Sequence, residues 1–219
     1  MSKRLQTCLP FLASALMLML GAVVSWQATQ GFQAFTWERY RQLQVARQPI
    51  PMPVLQLQDQ NGRVFTPLDL EGQIVLVNFI YTRCTTLCTA SGAIYGHLLT
   101  AINHGARKGK VRLVSISLDP EYDTPQRLRA YIGRYTRQPD EHWFAVRPLD
   151  AQAGQALLSR LGVVSISDGM GGIKHNAAVH LVDQGGRVVQ ISGETDYERI
   201  LKAVDQRLGG DQAIVHARS

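Results

Sequence analysis

Cysteine is scarce in this chain, with three residues in 219. Cys8 lies inside a hydrophobic N-terminal run, where a thiol behaves as a small apolar group, so only Cys84 and Cys88 are left. A bridge between them would enclose too short a loop to constrain the unfolded chain much, which argues against a disulfide-stapled scaffold and for chemistry at the pair. The C-x-x-C motif of a usual thioredoxin is absent, as is its proline just ahead of the strand that starts here near Ala177. The Pro-x-x-x-Thr-x-x-Cys loop of a peroxidase of the peroxiredoxin type is absent too, because Thr82 stands directly before Arg83-Cys84. No internal repeat or low-complexity tract occurs beyond the proline-rich stretch, which leaves a single domain there. Lys and Arg number 23 against 17 Asp and Glu, a net charge of +6. Yet Arg39, Arg41, Arg47, Arg107, Lys108, Lys110, Arg127, Arg129 and Arg134 are scattered and join no aromatic-rich recognition segment, so nucleic acid is not the expected partner. A solvated basic surface suits an acidic partner or anionic lipid headgroups.

Charge is missing altogether from Leu5 to Trp26, a stretch centred on Leu16, Met17, Leu18, Met19 and Leu20. A run of about 20 uncharged residues is long enough to span a bilayer as a helix, whereas a cleavable signal usually has a shorter apolar region. Lys3 and Arg4 hold the short N-terminus on the cytoplasmic side, so the remainder is expected outside the cytoplasm, on the periplasmic or extracytoplasmic side. Cleavage after Ser25, with Val23 three residues before the cut, would instead give a secreted form. Residues 1–26 are therefore read as a membrane anchor or signal segment, and 27–52 as a juxtamembrane spacer in which Pro49 and Pro51 bar regular structure. One domain fills 53–209, and 210–219 form a flexible tail.

Within that domain, Val54 to Gln58 and Arg63 to Thr66 flank Asn61-Gly62, a strong hairpin signal. Ile74 to Tyr81 is a nearly continuous apolar run, as in a parallel strand buried on both faces. Ala90, Ile94, Leu98 and Ile102 then repeat at helical spacing, and Val111 to Leu118 is a second apolar strand, which completes a βαβ unit. Thr124-Pro125 starts a helix through Leu128, Tyr131, Ile132 and Tyr135, and Asp150 caps one closed by Gly162. Ala177 to Val182 and Val188 to Ile191 surround Gln184-Gly185-Gly186 as a second hairpin, and Asp196 caps a final helix through Ile200, Leu201, Val204 and Leu208. The order predicts an α/β thioredoxin-like fold with an N-terminal β-hairpin extension.

Cys84 and Cys88 stand four apart where a buried strand hands over to a helix, so both sulfurs reach one ion, and the helix N-terminus favours the thiolate. In an open α/β sheet, functional groups collect beyond the C-terminal ends of the parallel strands, where Asp119 falls as well. If the strand after His175 runs antiparallel to the first, His175 belongs to the same edge. Two thiolates and an imidazole form a soft set that suits Cu(I) and also holds Cu(II), while a closed structural zinc site wants four ligands. Asp119-Pro120 reads as a turn and Asp123-Thr124-Pro125 as a helix start, although either carboxylate could orient an imidazole or offset copper's charge. His97, His104, His142, His180 and His216 read as surface or core residues.

Three blocks carry a resemblance: Val77-Asn78-Phe79-Ile80-Tyr81-Thr82-Arg83-Cys84-Thr85-Thr86-Leu87-Cys88, then Ser117-Leu118-Asp119-Pro120-Glu121-Tyr122-Asp123-Thr124-Pro125, then Lys174-His175-Asn176-Ala177-Ala178-Val179. In this order and spacing they resemble the Sco/SenC family, over roughly Pro53 to Leu208. The resemblance implies a copper-binding metallochaperone for the CuA centre of cytochrome c oxidase, with Cys84, Cys88 and His175 as copper ligands. It also implies a copper-accepting oxidase subunit or another copper chaperone as partner. Family members usually have proline after each motif cysteine and often Asp before the histidine, where this chain has Thr85, Thr89 and Lys174. Lys174 disfavours extra positive charge nearby, and hence Cu(II). The competing expectation is a periplasmic thiol-disulfide oxidoreductase that uses a redox-active disulfide between Cys84 and Cys88 on a partner protein.

Overall fold

Seven consecutive residues, Ile74–Ile80, carry no charge and are all buried, which only a strand covered on both faces allows. In the computed structural model of the chain this strand lies inside a mixed sheet of eight strands. The structure describes residues 3–84, 87–136, 142–167, 169 and 172–216; the side chains of 3–12, 87–89 and 210–216 lie outside that description.

The chain divides into two units, Met1–Arg47 and Gln48–Ser219. The first holds helices α1 (Lys3–Ala28) and α2 (Trp37–Arg47). The large apolar side chains of α1 from Leu16 to Trp26 are exposed. Among the described residues no helix is long and apolar enough to cross a membrane, so the spanning segment expected over Leu5 to Trp26 is not seen; its first part lies among the side chains outside the description. Helix α2 falls where the sequence predicts only a spacer. It lacks an apolar stripe, but Thr36 accepts from the Arg39 N–H at 3.1 Å and Glu38 holds the buried Arg41 guanidinium at 2.9 Å. Local capping and an i,i+3 ion pair thus mark a helix that hydrophobic periodicity does not.

The second unit starts with β1 (Ile50–Pro51), β2 (Leu57–Asp59), β3 (Val64–Phe65) and β4 (Ile74–Ile80), followed by α3 (Leu87–Ile102) and β5 (Val111–Ser117). Then come α4 (Pro125–Ile132), β6 (Trp143–Pro148), α5 (Ala151–Leu161), β7 (Ser165–Ser167), β8 (Ile173–His175), β9 (Ala178–Val182), β10 (Arg187–Gly193) and α6 (Tyr197–His216). The strands of the main sheet run β1-β10-β9-β4-β5-β6-β2-β3, with β7 and β8 paired apart from it. Strands β4, β5 and β6 are mutually parallel, and β9 runs antiparallel to β4. The expected first hairpin is β2–β3, with Leu57 opposite Phe65, and it docks on β6 through Asp59 opposite Val146.

Two details depart from the sequence reading. Ile50 pairs with Val188 and Pro51 with Arg187, so the unit begins ahead of residue 53; Pro51 is tolerated because β1 is an edge strand. Helix α6 continues to His216, through the segment expected as a tail, because extending a formed helix across Gly209 and Gly210 costs only about 1 kcal/mol per glycine.

One face of the sheet presents Asn78, Ser115 and Ala145 in register. Helices α3 and α4 and the turn after α4 cover it through Tyr95, Tyr131 and Tyr135 around Trp143, with ring centroids 5.7, 6.3 and 6.2 Å from the indole. Gly92 makes this approach possible, because a Cβ there would fall 2.2 Å from the Tyr135 ring. The Trp143 indole N–H donates to the Ser115 hydroxyl at 3.0 Å, which satisfies both buried groups.

Candidate functional site

Beyond Ile80 the chain leaves the sheet, and the Cys84 N–H donates to the Tyr81 carbonyl at 3.2 Å in a tight turn. The Cys84 side chain is buried. Helix α3 starts at Leu87, so the backbone of Cys88 belongs to its first turn, where the helix dipole favours a thiolate. The Cys88 side chain lies outside the described residues.

The turn is braced from the next strand connection. Asp123, fully buried, receives the Thr82 N–H at 3.3 Å, the Thr82 hydroxyl at 2.5 Å and the Ser117 hydroxyl at 2.6 Å. Burial pushes the Asp123 carboxyl above its ordinary range, and the bonds from Ser117 and Thr82 oppose that shift. Asp119 pairs with Arg83, the residue before Cys84, and its backbone carbonyl receives the Asp123 N–H at 2.8 Å. The Tyr122 ring lies under both Arg83 and Arg127, at 4.2 and 3.7 Å. Thr124 caps α4 by accepting from the Arg127 N–H at 3.4 Å. The turn and helix-start readings of Asp119 and Asp123 are therefore seen directly, and Asp123 in addition ties the cysteine turn to the end of β5.

His175 ends β8 and sits opposite Ser165 of β7, in a small hairpin that the sequence reading leaves as loop. Because β9 runs antiparallel to β4, with Val77 opposite His180 and Val75 opposite Val182, the start of β9 lies toward the C-terminal end of β4. That is the edge from which the cysteine turn departs. Asn176 fixes the junction: its Oδ1 accepts from the Val164 N–H at 2.8 Å and its Nδ2 donates to the Gly162 carbonyl at 3.2 Å. His175 is partly buried, and its Nδ1 has no hydrogen-bond partner. Burial lowers its pKa, with the Asn176 backbone acting more weakly in the opposite direction, so the imidazole favours its neutral, metal-binding form. Lys174 beside it is exposed. His180 is a core residue, its ring edge-on to Phe79 at 5.6 Å.

Among the described residues no group of three or more His, Cys, Asp or Glu side chains stands close enough to hold a metal ion, and Cys88 is not among them. The topology does bring the Cys84 turn and the His175–Asn176 junction to one edge of the sheet. Sequence reasoning missed Thr82, Ser117 and Asn176 as the residues that set this geometry. A hydroxyl closing each of two neighbouring apolar strands was the available signal for the first two.

The family model described as SCO1/SenC matches residues 52–209. A SCO1 protein homolog of Bacillus subtilis is 28% identical over 134 residues, which cover 61% of this chain and 68% of that protein. The copper-bound structure of Bradyrhizobium japonicum ScoI superposes with a TM-score of 0.61 at 27% identity, over 72% of this chain and 99% of that one. A SCO1/SenC family lipoprotein of Bacillus anthracis has the same fold, with a TM-score of 0.67 at 24% identity over 74% of this chain and 98% of that one.

Proposed function

Because this chain belongs to the SCO1/SenC family, we propose that it binds copper as cargo through Cys84, Cys88 and His175 and passes it to a copper-accepting subunit during cytochrome c oxidase assembly. The observation that carries the reading is the convergence of the Cys84 turn and the His175 junction on one sheet edge, in a fold shared with the copper-bound ScoI structure. The residues present fit the ion. Cys84 sits in a turn leading into a helix N-terminus, the backbone of Cys88 lies in the first helical turn, and the Nδ1 of a neutral His175 has no competing partner. Thiolates and imidazole are soft donors suited to Cu(I). Asp123 holds the turn through Thr82, and Asn176 holds the histidine strand.

Binding is expected of the dithiol, not of the disulfide. A disulfide between Cys84 and Cys88 would remove both thiolates, and two thiolates are what the ion needs. The N-terminal segment fits export and anchoring: Leu5 to Trp26 is uncharged, Lys3 and Arg4 precede it, and the described apolar side chains of α1 are exposed.

Copper titration of the reduced protein tests the reading. One copper per chain is expected, with tight binding abolished in Cys84→Ser and in Cys88→Ser and an altered Cu(II) spectrum in His175→Ala. Oxidised wild type should take up copper only after reductant is added. Equal loading of the oxidised and reduced forms, with free thiols counted in both, would remove the dithiolate site and leave thiol-disulfide exchange as the better account.

A further inference from the structure

A buried polar cluster lies against α3, and the copper chemistry proposed above does not use it. Asn78 on β4, Ser91 and Tyr95 on α3, and Glu194 in the turn between β10 and α6 are all buried. The Ser91 hydroxyl donates to Glu194 Oε2, and the Asn78 side chain lies against the same carboxyl. Glu194 Oε1, both polar atoms of the Asn78 amide and the Tyr95 hydroxyl have no hydrogen bond of good geometry. A buried polar atom left unsatisfied costs about 1–3 kcal/mol, so such a gathering needs an arrangement that pairs its members.

The protonation state of the carboxyl decides which pairing is available. An ionised Glu194 could accept from Asn78 Nδ2 but would leave Oδ1 facing negative charge. A neutral carboxylic acid meets both atoms at once, its O–H donating to Oδ1 while its carbonyl oxygen accepts from Nδ2. The groups that act on Glu194 are Ser91, Asn78 and Tyr95, and none of them is cationic. Burial favours the uncharged form and outweighs the bonds from Ser91 and Asn78, which act the other way.

We propose that Glu194 is a positioning residue for the cysteine loop: paired with Asn78 as a neutral acid and bonded to Ser91, it clamps α3 to β4 and to the turn before α6, and so fixes the helix start that bears Cys88. The inference rests on the dithiol reading above. Asn78 stands six residues before Cys84 on the strand that leads into the turn, and Ser91 three residues after Cys88 on the helix that leaves it. The clamp therefore grips both stems of the loop. Loosening it displaces one ligand relative to the other.

The test uses the full chain in mild detergent, with two readouts: amide hydrogen exchange along α3, and Cu(I) affinity against a competing chelator, each followed from acidic to alkaline pH. Glu194→Gln keeps a donor and an acceptor for Asn78, and at the acidic end it should stay within about twofold of wild type in both readouts. Glu194→Ala should speed exchange in the first turns of α3 about tenfold and weaken Cu(I) binding by a similar factor, with β5 unchanged. On raising pH the wild type should move toward the alanine variant while Glu194→Gln stays flat. Should Glu194→Ala fail to fold, that contrast in pH response decides alone. Wild-type behaviour of Glu194→Ala, or a glutamine variant as disturbed as alanine at the acidic end, would overturn the clamp. Copper-free wild type would instead sink the proposed function, while the exchange pattern of α3 would still judge the clamp.

Discussion

At the residue scale, the cysteine turn depends on a carboxylate that does not need to touch metal. Asp123 is the acceptor for three donors, the Thr82 amide, the Thr82 hydroxyl and the Ser117 hydroxyl. Asp123→Ala strands all three in a buried place and should lower stability by about 2–3 kcal/mol in urea unfolding. Asp123→Asn should cost less, because its carbonyl oxygen still accepts. Arg83→Ala makes a useful contrast: its guanidinium is largely in solvent, and its pairing with Asp119 should leave the urea midpoint unchanged. A large loss in Arg83→Ala would show that the Arg83–Tyr122–Arg127 stack braces the turn as well. The proposed ligands Cys84, Cys88 and His175 can be named from the sequence because three motif blocks carry them together. The roles of Thr82, Ser117 and Asn176 are not legible there, because a hydroxyl or an amide at a strand end looks like any surface residue until its partner arrives from another part of the chain.

At the element scale, helix ends that carry a capping residue are legible in the sequence. Thr124 and Asp150 cap α4 and α5 as their sequence positions suggest, Asp150 accepting from the Gln152 N–H at 2.7 Å. Gly162 closes α5 in the left-handed region at φ 65°. These are local interactions, complete within a few residues. Gly92 is the opposite case. In the sequence it is only a helix-weakening residue, but its missing side chain admits the Tyr135 ring. Gly92→Ala should therefore destabilise by about 1–3 kcal/mol despite the roughly 1 kcal/mol that alanine gains in helix propensity. Thermal unfolding with near-ultraviolet circular dichroism would check this, since the displaced ring belongs to the Trp143 cluster. A more stable Gly92→Ala would mean that Tyr135 has another place to go.

At the scale of the whole molecule, two buried carboxyls make stability fall as pH rises. Glu194 and Asp123 both have folded pKa values raised above their unfolded ones, chiefly by burial. Their contribution is complete below the unfolded carboxylate range and is lost as pH climbs through the raised values. Tyr95 faces Glu194, and Asp119 adds to the shift of Asp123. His175, lowered by burial, acts with the opposite sign: folding loses stability as pH drops below about 6.5. Urea unfolding of the apo protein between about pH 4 and pH 8 should show the alkaline loss diminished in Glu194→Gln and in Asp123→Asn. An unchanged slope in both would mean that neither carboxyl holds its proton. Export is tested at the same scale: a C-terminal reporter active only in the cytoplasm should stay silent, and strong activity there would overturn it.

The sequence alone determined what local chemistry and periodicity can write: the buried strand at Ile74–Ile80, the caps at Thr124 and Asp150, and the Asn61-Gly62 hairpin. Each follows from neighbours within a turn or a strand. Tertiary structure decided where His175 goes, because only the antiparallel pairing of β9 with β4 brings its strand to the cysteine edge. It likewise decided that Asp123 reaches back 41 positions to Thr82, and that Glu194 meets Ser91 across 103. Sequence periodicity records which face of an element is apolar. It holds no record of which distant polar group will lie opposite, since that depends on strand order and register, and these are fixed only when the whole sheet assembles.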